Sequence, residues 1–554
     1  MKPSLAAQLQ NSFRCRRLGV SAAALILGTL LSFTPTERCE ANPYATAKTF
    51  NVTSTGSSRA QPGTLNWAVF QANYAGADVN YIFFNIPGVV GQAEIVLSEP
   101  LYAARLMIID ATSQPGYHGQ PLIRINANNM DTALLLVGHV TGVPPYSDGS
   151  VATSGGNPGV HGVSAASAGS TIQGLHFFNF KTNAITILKE SEGNFIQNNW
   201  IGFLANGNTF THNSNLHPDS HGIGVQSNFN TIRFNTISGV SNGINIGEPV
   251  NGTWSGRNYF TNDLESNNIG TDPTGVRVIG NDSDGIFLGA GASENFIGPF
   301  NVVSGMTSSG IELLHRSNYG NIIIANLIGT NRAGTAALGN GELGVLIAGG
   351  ADYNDIGGPS GGNIISGNRL GGVAIGTPEF PAPCTRIYVE SNLIGTDASG
   401  LHAIGQQTSG VTSQSGSETI LHRNVIAGHS NHGVVFNGVG RTTIVRNGHS
   451  VMLANGVFGN WIGVAARASA VGFNAQKGLT QGVQLLSSAS TTGGPLLPNR
   501  GYGIYAINAF GNYLQVAIGT ENQGSLYLRN IFGTNTLGNA GFNGCTAAQN
   551  VYSP

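Results

Sequence analysis

The chain has 554 residues, of which 80 are Gly, 40% are apolar and only 9% are charged, with a formal charge of −2. Gly stands at about twice its usual ~7% and charge far below the usual ~25%. Low charge without low hydrophobicity excludes a disordered chain, and the near-neutral balance leaves no electrostatic footprint for nucleic acid or an anionic membrane.

Residues 1–41 read as a signal peptide. Arg14, Arg16 and Arg17 form a basic start, and Leu18 to Phe33 is an apolar core interrupted by Gly19 and Gly28, shorter than the ~20 residues a span requires. Cys39 and Ala41 are small residues at −3 and −1, so cleavage is expected after Ala41. The mature chain would be secreted, surface-bound or periplasmic, with no membrane span left. Two cysteines remain, Cys384 and Cys545; an oxidising compartment permits a disulfide, though a large core does not require one.

Residues 42–170 read as an N-terminal cap with the first coils of a tube. Pro62 to Asn73 places Leu65, Ala68, Val69 and Ala72 on one face of a short helix with Thr64 as N-cap. Strands are expected at Tyr81 to Ile86, Glu94 to Leu97, Leu106 to Asp110, Leu122 to Asn126 and Ala133 to Val137. Gly142 to Ser170 is a loop excursion before Thr171 to Phe180 resumes the strands.

Residues 171–475 carry internal repeats, with 476–554 as C-terminal coils and cap. The phrase Asn-x-Ile-Gly recurs at Asn199, Asn267, Asn326, Asn392 and Asn460, 59 to 68 residues apart, which is the signature of a solenoid. A second phrase, Asn-x-Ile/Val-Ser/Ala-Gly, interleaves with it at Asn235, Asn301, Asn363 and Asn424. The unit is therefore two coils, one tight and one with an extra loop. Each coil holds short alternating stretches between Gly, Asn and Ser corners. Strands that short must stack on copies of themselves, which gives an all-β, single-stranded right-handed parallel β-helix. The leading Asn residues, ~4.8 Å apart in such a stack, are expected to form an inward column of hydrogen-bonded amides.

Several pieces resemble exported bacterial β-helix repeat proteins of the pectin-lyase-like superfamily, including those opened by a CSLREA segment: FNVTSTG (50–56), PGTLNWAVFQAN (62–73), IDATSQPGYHGQPLI (109–123) and the IGTD and ISG phrases. The opener here reads Gly63, Thr64, Leu65, Asn66, Trp67, Ala68, keeping the apolar face but not the Cys or the charges. The resemblance implies the fold. It implies less about activity, because the superfamily includes lyases, hydrolases and epimerases beside surface proteins without an assigned role.

An active site would project outward from one sheet, and hydrolysis or β-elimination needs paired carboxylates or a carboxylate with a base. The outward row of the Gly-Ile-x-Ile strands is Gly224, Asn245, Phe287, Glu312, Leu346, Ala374, Thr412, Val435 and Gln484, with one carboxylate and no base. The best charged group is Asp282 and Asp284 with Glu312, His315 and Arg316, which a polyuronide lyase could use. Phe287, Leu346, Ala374 and Val435 form an apolar stripe that either binds a partner or lies under the long loops. Trp200 and Trp461 are outward rings that could stack on sugars. His212, His217, Asp219 and His221 are close enough in sequence to hold a metal. No cofactor is expected. Calcium is the one ion that Asp272 and Asp397 of the IGTD loops invite, but the same slot is Asn331, which suits an Asx turn better. These features favour a structural or adhesive surface for extracellular carbohydrate or surface protein over a polysaccharide-active enzyme.

Overall fold

The computed structural model describes residues 46–137 and 167–437, apart from 207–208, 214–219, 248–257, 406 and 415–416, and beyond 441 a series of separate strands reaching Tyr552. The predicted signal segment, His217, Asp219, Cys545 and most of the predicted loop at 142–170 lie outside the described residues.

Every regular coil lays down three strands, each pairing in parallel with its counterparts one coil before and after. The first face contains Phe195–Gln197, Thr231–Arg233, Asp263–Glu265 and their successors, within a sheet of 16 described strands. The second carries the Asn-x-Ile strands, with Trp200 opposite Thr236 and Thr236 opposite Asn268. The third carries the Gly-Ile strands, with Ile244 opposite Ile286 and Ile286 opposite Ile311. Parallel strands joined by crossovers wind right-handed, so the chain is a right-handed parallel β-helix. Its interior is one apolar column in which Ile201, Ile237, Ile269, Ile328 and Ile365 are fully buried. At the N-terminal end, Leu122 to Asn126 and Ala133 to Val137, expected as two strands, are one strand, Ile123–Leu136, bent around the corner between the second and third faces.

The corner between the first and second faces is commonly made by a single residue in the left-handed region. Phe234, Ser266, Phe300, Ala325, Ser391 and Arg423 have φ between +54° and +67° and each precedes a leading Asn. Non-Gly residues adopt that conformation at a cost of roughly 1–2 kcal/mol each, so something must hold them there. The following Asn does. In the predicted column every Nδ2 donates to the Oδ1 of the next coil's Asn, from Asn199 through Asn235, Asn267, Asn301, Asn326, Asn363, Asn392 and Asn424 to Asn460, at 2.9–3.1 Å. A second column, not anticipated, runs through Asn194, Asn230, Asn262, Asn295, Asn321 and Asn354 at the corner before the first face. There too the preceding residue is left-handed, for example Phe229, Thr261, Glu294 and Tyr353.

The third corner, between the second and third faces, carries the variable loops. The two-coil unit is visible there: loops at 271–280, 330–339 and 396–405 leave alternate coils and touch one another across the coil between, Arg332 N–H donating to Gly275 O and Ala398 N–H to Gly334 O, both at 2.8 Å. At the N-terminal end the helix Leu65–Tyr74, capped by Thr64 Oγ1 on the Trp67 N–H at 3.2 Å, lays Leu65, Ala68, Val69 and Ala72 on the first coil as expected. Asn66 and Asn73 are buried beside them, donating to Glu99 O and Tyr102 O.

Candidate functional site

The outward row of the third face has the predicted register, Asn245, Phe287, Glu312, Leu346, Ala374, Thr412 and Val435 standing opposite one another in order. Its central residues are not exposed. Phe287 and Leu346 retain 8% and 9% of their surface and pack with Leu314, Ala348, Ala374 and, from the segment after the Gly371–Ile375 strand, Phe380. Of the two alternatives for the apolar stripe, its central part is a covered seam. The long loops lie elsewhere, over the second face, where Arg332 Nη2 donates to Asn268 Oδ1 at 2.6 Å.

Glu312 sits in that seam between Phe287 and Leu346 and makes no hydrogen bond or ion pair among the described residues. Burial, reinforced by the nearby carboxylates Asp284, Glu342 and Glu379, pushes its carboxyl up to about 8. Asp284 is itself buried and raised by burial, and its Oδ1 accepts the Ser309 N–H at 3.0 Å. Asp282, by contrast, is well exposed and 3.4 Å from His212 Nε2. His315 and Arg316 follow the strand Ile311–Leu314 at its far end. Six residues at ~3.3 Å each separate His315 from the level of Ser309 and Asp284. The predicted constellation therefore splits into an acidic group at one end of the strand and a basic group at the other.

The remaining sequence candidates resolve individually. Trp200 is 5% exposed and packs among His176, Phe203 and Phe210, because the hairpin Leu204–Asn206 and Thr209–Thr211 folds over it. Its ring is core to a satellite cluster and offers no sugar platform. The strand holding Trp461 pairs with Val425–Ile426, but its side chain lies outside the described residues. His212 is turned to Asp282, and His221 Nδ1 accepts the Asn242 N–H at 3.2 Å; among the described residues no three His, Cys, Asp or Glu side chains are grouped to hold a metal. Asp272, Asn331 and Asp397 use Oδ1 to accept backbone N–H groups of their own turns, at 3.1 Å from Val276, 2.9 Å from Thr335 and 3.1 Å from Ser399. The Asx reading accounts for all three. Cys384 is fully buried, its thiol pushed up to about 11 by burial.

A depression of about 670 Å³ opens at the corner between the third and first faces. Asn258, His315, Arg316, Ser317 and Tyr319 line it above Ala290 and Gly349. Burial lowers the His315 imidazole, which sits at φ +89° with Nε2 unpartnered. Arg316 is exposed, and no carboxylate of the described residues pairs with it.

The open aromatic side chains lie on the first face and the corners beside it: Phe195, Phe229, Phe234, Phe300, Tyr319, Tyr353 and Tyr388 are 37–50% exposed. The corner after this face is commonly a single left-handed residue, and of the longer segments before it, 376–386 sends Phe380 to the third face. Among the rings stand polar groups held in place along the stack, Arg233 Nε donating to Gln197 Oε1 at 2.8 Å and Arg386 lying over Tyr353. Sequence reasoning missed this face, although the signal was present: Phe229, Phe234, Phe300 and Tyr353 each immediately precede a ladder Asn.

Compared with known families and with curated proteins, the chain matches none in sequence. Among solved structures it is similar to the A-module of the Azotobacter vinelandii mannuronan C-5 epimerase AlgE4 at 11% identity and TM-score 0.38, over 90% of this chain and 97% of that one. It is also similar to a mutant of the periplasmic alginate epimerase AlgG, at 11% and 0.28 over 78% and 76%. A third is PfbA, a surface adhesin of Streptococcus pneumoniae, at 9% and 0.24 over 70% and 94%. At such identities the likeness is one of architecture, the parallel β-helix that the strand pairing establishes by itself.

Proposed function

We propose that the protein is an exported rigid rod that holds extracellular polysaccharide along its first face. The observation that carries this reading is the row of half-exposed rings, Phe195, Phe229, Phe234, Phe300, Tyr319, Tyr353 and Tyr388, on the first face and the corners beside it. Flat apolar rings flanked by fixed hydrogen-bonding groups suit the two surfaces of a pyranose, apolar on its C–H face and polar at its edge. The rod needs no moving part for this task, since the coils fix the spacing of the rings at ~4.8 Å per coil.

The test is retention on a panel of immobilised glycans. Phe234→Ala and Tyr353→Ala together should weaken binding about tenfold, on the scale of one to two stacking contacts, with the melting temperature nearly unchanged because both rings are solvent-facing. Binding of no glycan, or binding indifferent to both substitutions, overturns the reading.

One observation favours a second reading. Glu312, held protonated to about pH 8 in an apolar seam, has the property required of a general acid working near neutrality. Under that reading an acidic polysaccharide would be turned over, and the absorbance of unsaturated products, with and without calcium, would rise with the native chain and not with Glu312→Gln. No turnover of any acidic polysaccharide leaves the binding reading in place.

A further inference from the structure

We infer that the depression beside the aromatic face is a subsite for one anionic sugar residue, so that the rod selects glycans bearing carboxylate or sulfate groups. The inference rests on the carbohydrate-binding reading above and adds the ligand's charge to it.

Four observations converge on this corner. Arg316 presents its guanidinium to a depression of about 670 Å³, and none of the described carboxylates neutralises it. A guanidinium offers a planar fork of donors that matches a carboxylate or sulfate. His315 lines the same depression, its Nε2 buried without a hydrogen-bond partner, and an unpaired buried polar atom is costly. His315 is also held at φ +89°, a conformation that non-Gly residues rarely adopt, and strain of this kind collects where a side chain must be aimed. Tyr319 forms the wall: its hydroxyl accepts from Asn258 Nδ2 at 3.4 Å while its ring stays 37% exposed, and it belongs at the same time to the aromatic row. A chain laid along that row would place a sugar ring against Tyr319 and its acidic substituent toward Arg316. The acidic group at the opposite end of the strand, Asp284 and Glu312, lies in the closed seam and does not face this corner, so the cation is not screened by it.

The experiment compares paired polymers that differ only in charge: polygalacturonate with its methyl ester, and dextran sulfate with dextran, against the full-length protein at low and moderate salt. The native protein should bind an acidic member about tenfold more tightly than its neutral partner, and the preference should fall as salt screens it. The two pairs separate carboxylate from sulfate as the source of the charge. Arg316→Gln should abolish the preference while leaving binding of the neutral polymers unchanged, and Arg316→Lys should retain part of it. Arg369→Gln, on the Asn363 coil away from the corner, should have no effect. If Arg316→Gln still prefers the acidic polymers, or if the native protein shows no preference, the subsite is refuted while the aromatic face stands. If Phe234→Ala with Tyr353→Ala changes nothing for any polymer, the broader reading fails as well.

Discussion

At the scale of single residues, the fold depends on amides that each do three tasks. Asn301 Nδ2 donates to Leu264 O and to Asn326 Oδ1, while its Oδ1 accepts both the backbone N–H and the Nδ2 of Asn267. Replacing it with Leu would leave two donors of Asn267 and one carbonyl unmet in a dry interior, so a loss of about 2–4 kcal/mol is expected, read as a lowered denaturation midpoint. The column was legible because the leading Asn recurs in a phrase with Gly. Its companion at Asn194, Asn230, Asn262, Asn295 and Asn321 was equally present in the sequence, five or six residues upstream each time, but only Asn295 has the Gly three residues on that marks the phrase. Buried titratable groups predict a pH profile. Burial holds His176 at about 4 and His429 at about 3, so the unfolded chain takes up protons that the folded one refuses, and stability falls as pH drops from 6.5 toward 3. Glu312 acts in the opposite sense. Raised by burial from 4.5 to about 8, it favours the folded state fully below pH 4.5 and loses that contribution as pH rises to 8. Thermal midpoints should therefore be highest on the acid side of neutrality, and Glu312→Gln should flatten the alkaline decline by an amount on the order of 2–4 kcal/mol. An unchanged slope would mean that the seam is wet.

At the scale of elements, the close stacking of coils at the start of the third face sets the limits. A Cβ at Gly310 would stand 2.7 Å from Gly344 O and 2.8 Å from Ile328 Cγ2, so Gly310→Val forces two coils apart and should destabilise by roughly 1–3 kcal/mol. Gly358→Ala, whose Cβ would meet only Ile324 Cδ1 at 3.8 Å, should remain within about 0.5 kcal/mol of the parent. The cap helix is the other sensitive element. It covers an open sheet edge, and Ala68→Glu would place a charge against the first coil where Ala68 is fully buried. Loss of the cap should appear as concentration-dependent oligomers in size-exclusion chromatography, because uncovered edges pair with one another. Helix boundaries and the inward positions of strands followed from periodicity alone. What covers the outer faces did not, since Phe380 reaches Phe287 and the hairpin reaches Trp200 through loop paths that carry no periodic signal.

At the scale of the whole molecule, the three faces have three different fates. The second lies under a ridge of loops, the third closes into an apolar seam, and the first stays open with its rings outward. Sequence reasoning looked for chemistry on the third face because catalytic groups would have to project outward from one sheet, and its outward row held a carboxylate, Glu312. Of the acidic residues it joined to His315 and Arg316, Asp284 falls level with Ser309 before the strand Ile311–Leu314 and Glu312 lies within it, which only the strand pairing reveals. Because the strands of each coil pair only with those of its neighbours, stability should be distributed along the rod rather than pooled. Hydrogen exchange should be slowest for amides of the central coils, such as Ile328 and Ile365, and a substitution like Asn301→Leu should accelerate exchange in its own and adjacent coils first.

The amide column has a direction. Every rung from Asn199 to Asn424 hands its hydrogen atoms to the oxygen of the coil that follows in the chain. The two ends of any partly formed tube are therefore chemically unlike: the leading end offers unspent donors, the trailing end an oxygen with room to accept. A coil that has just closed presents a template that only an Asn, or a side chain able to imitate its oxygen, completes. Such a column would assemble like a zip with one slider, closing from the N-terminal coils onward.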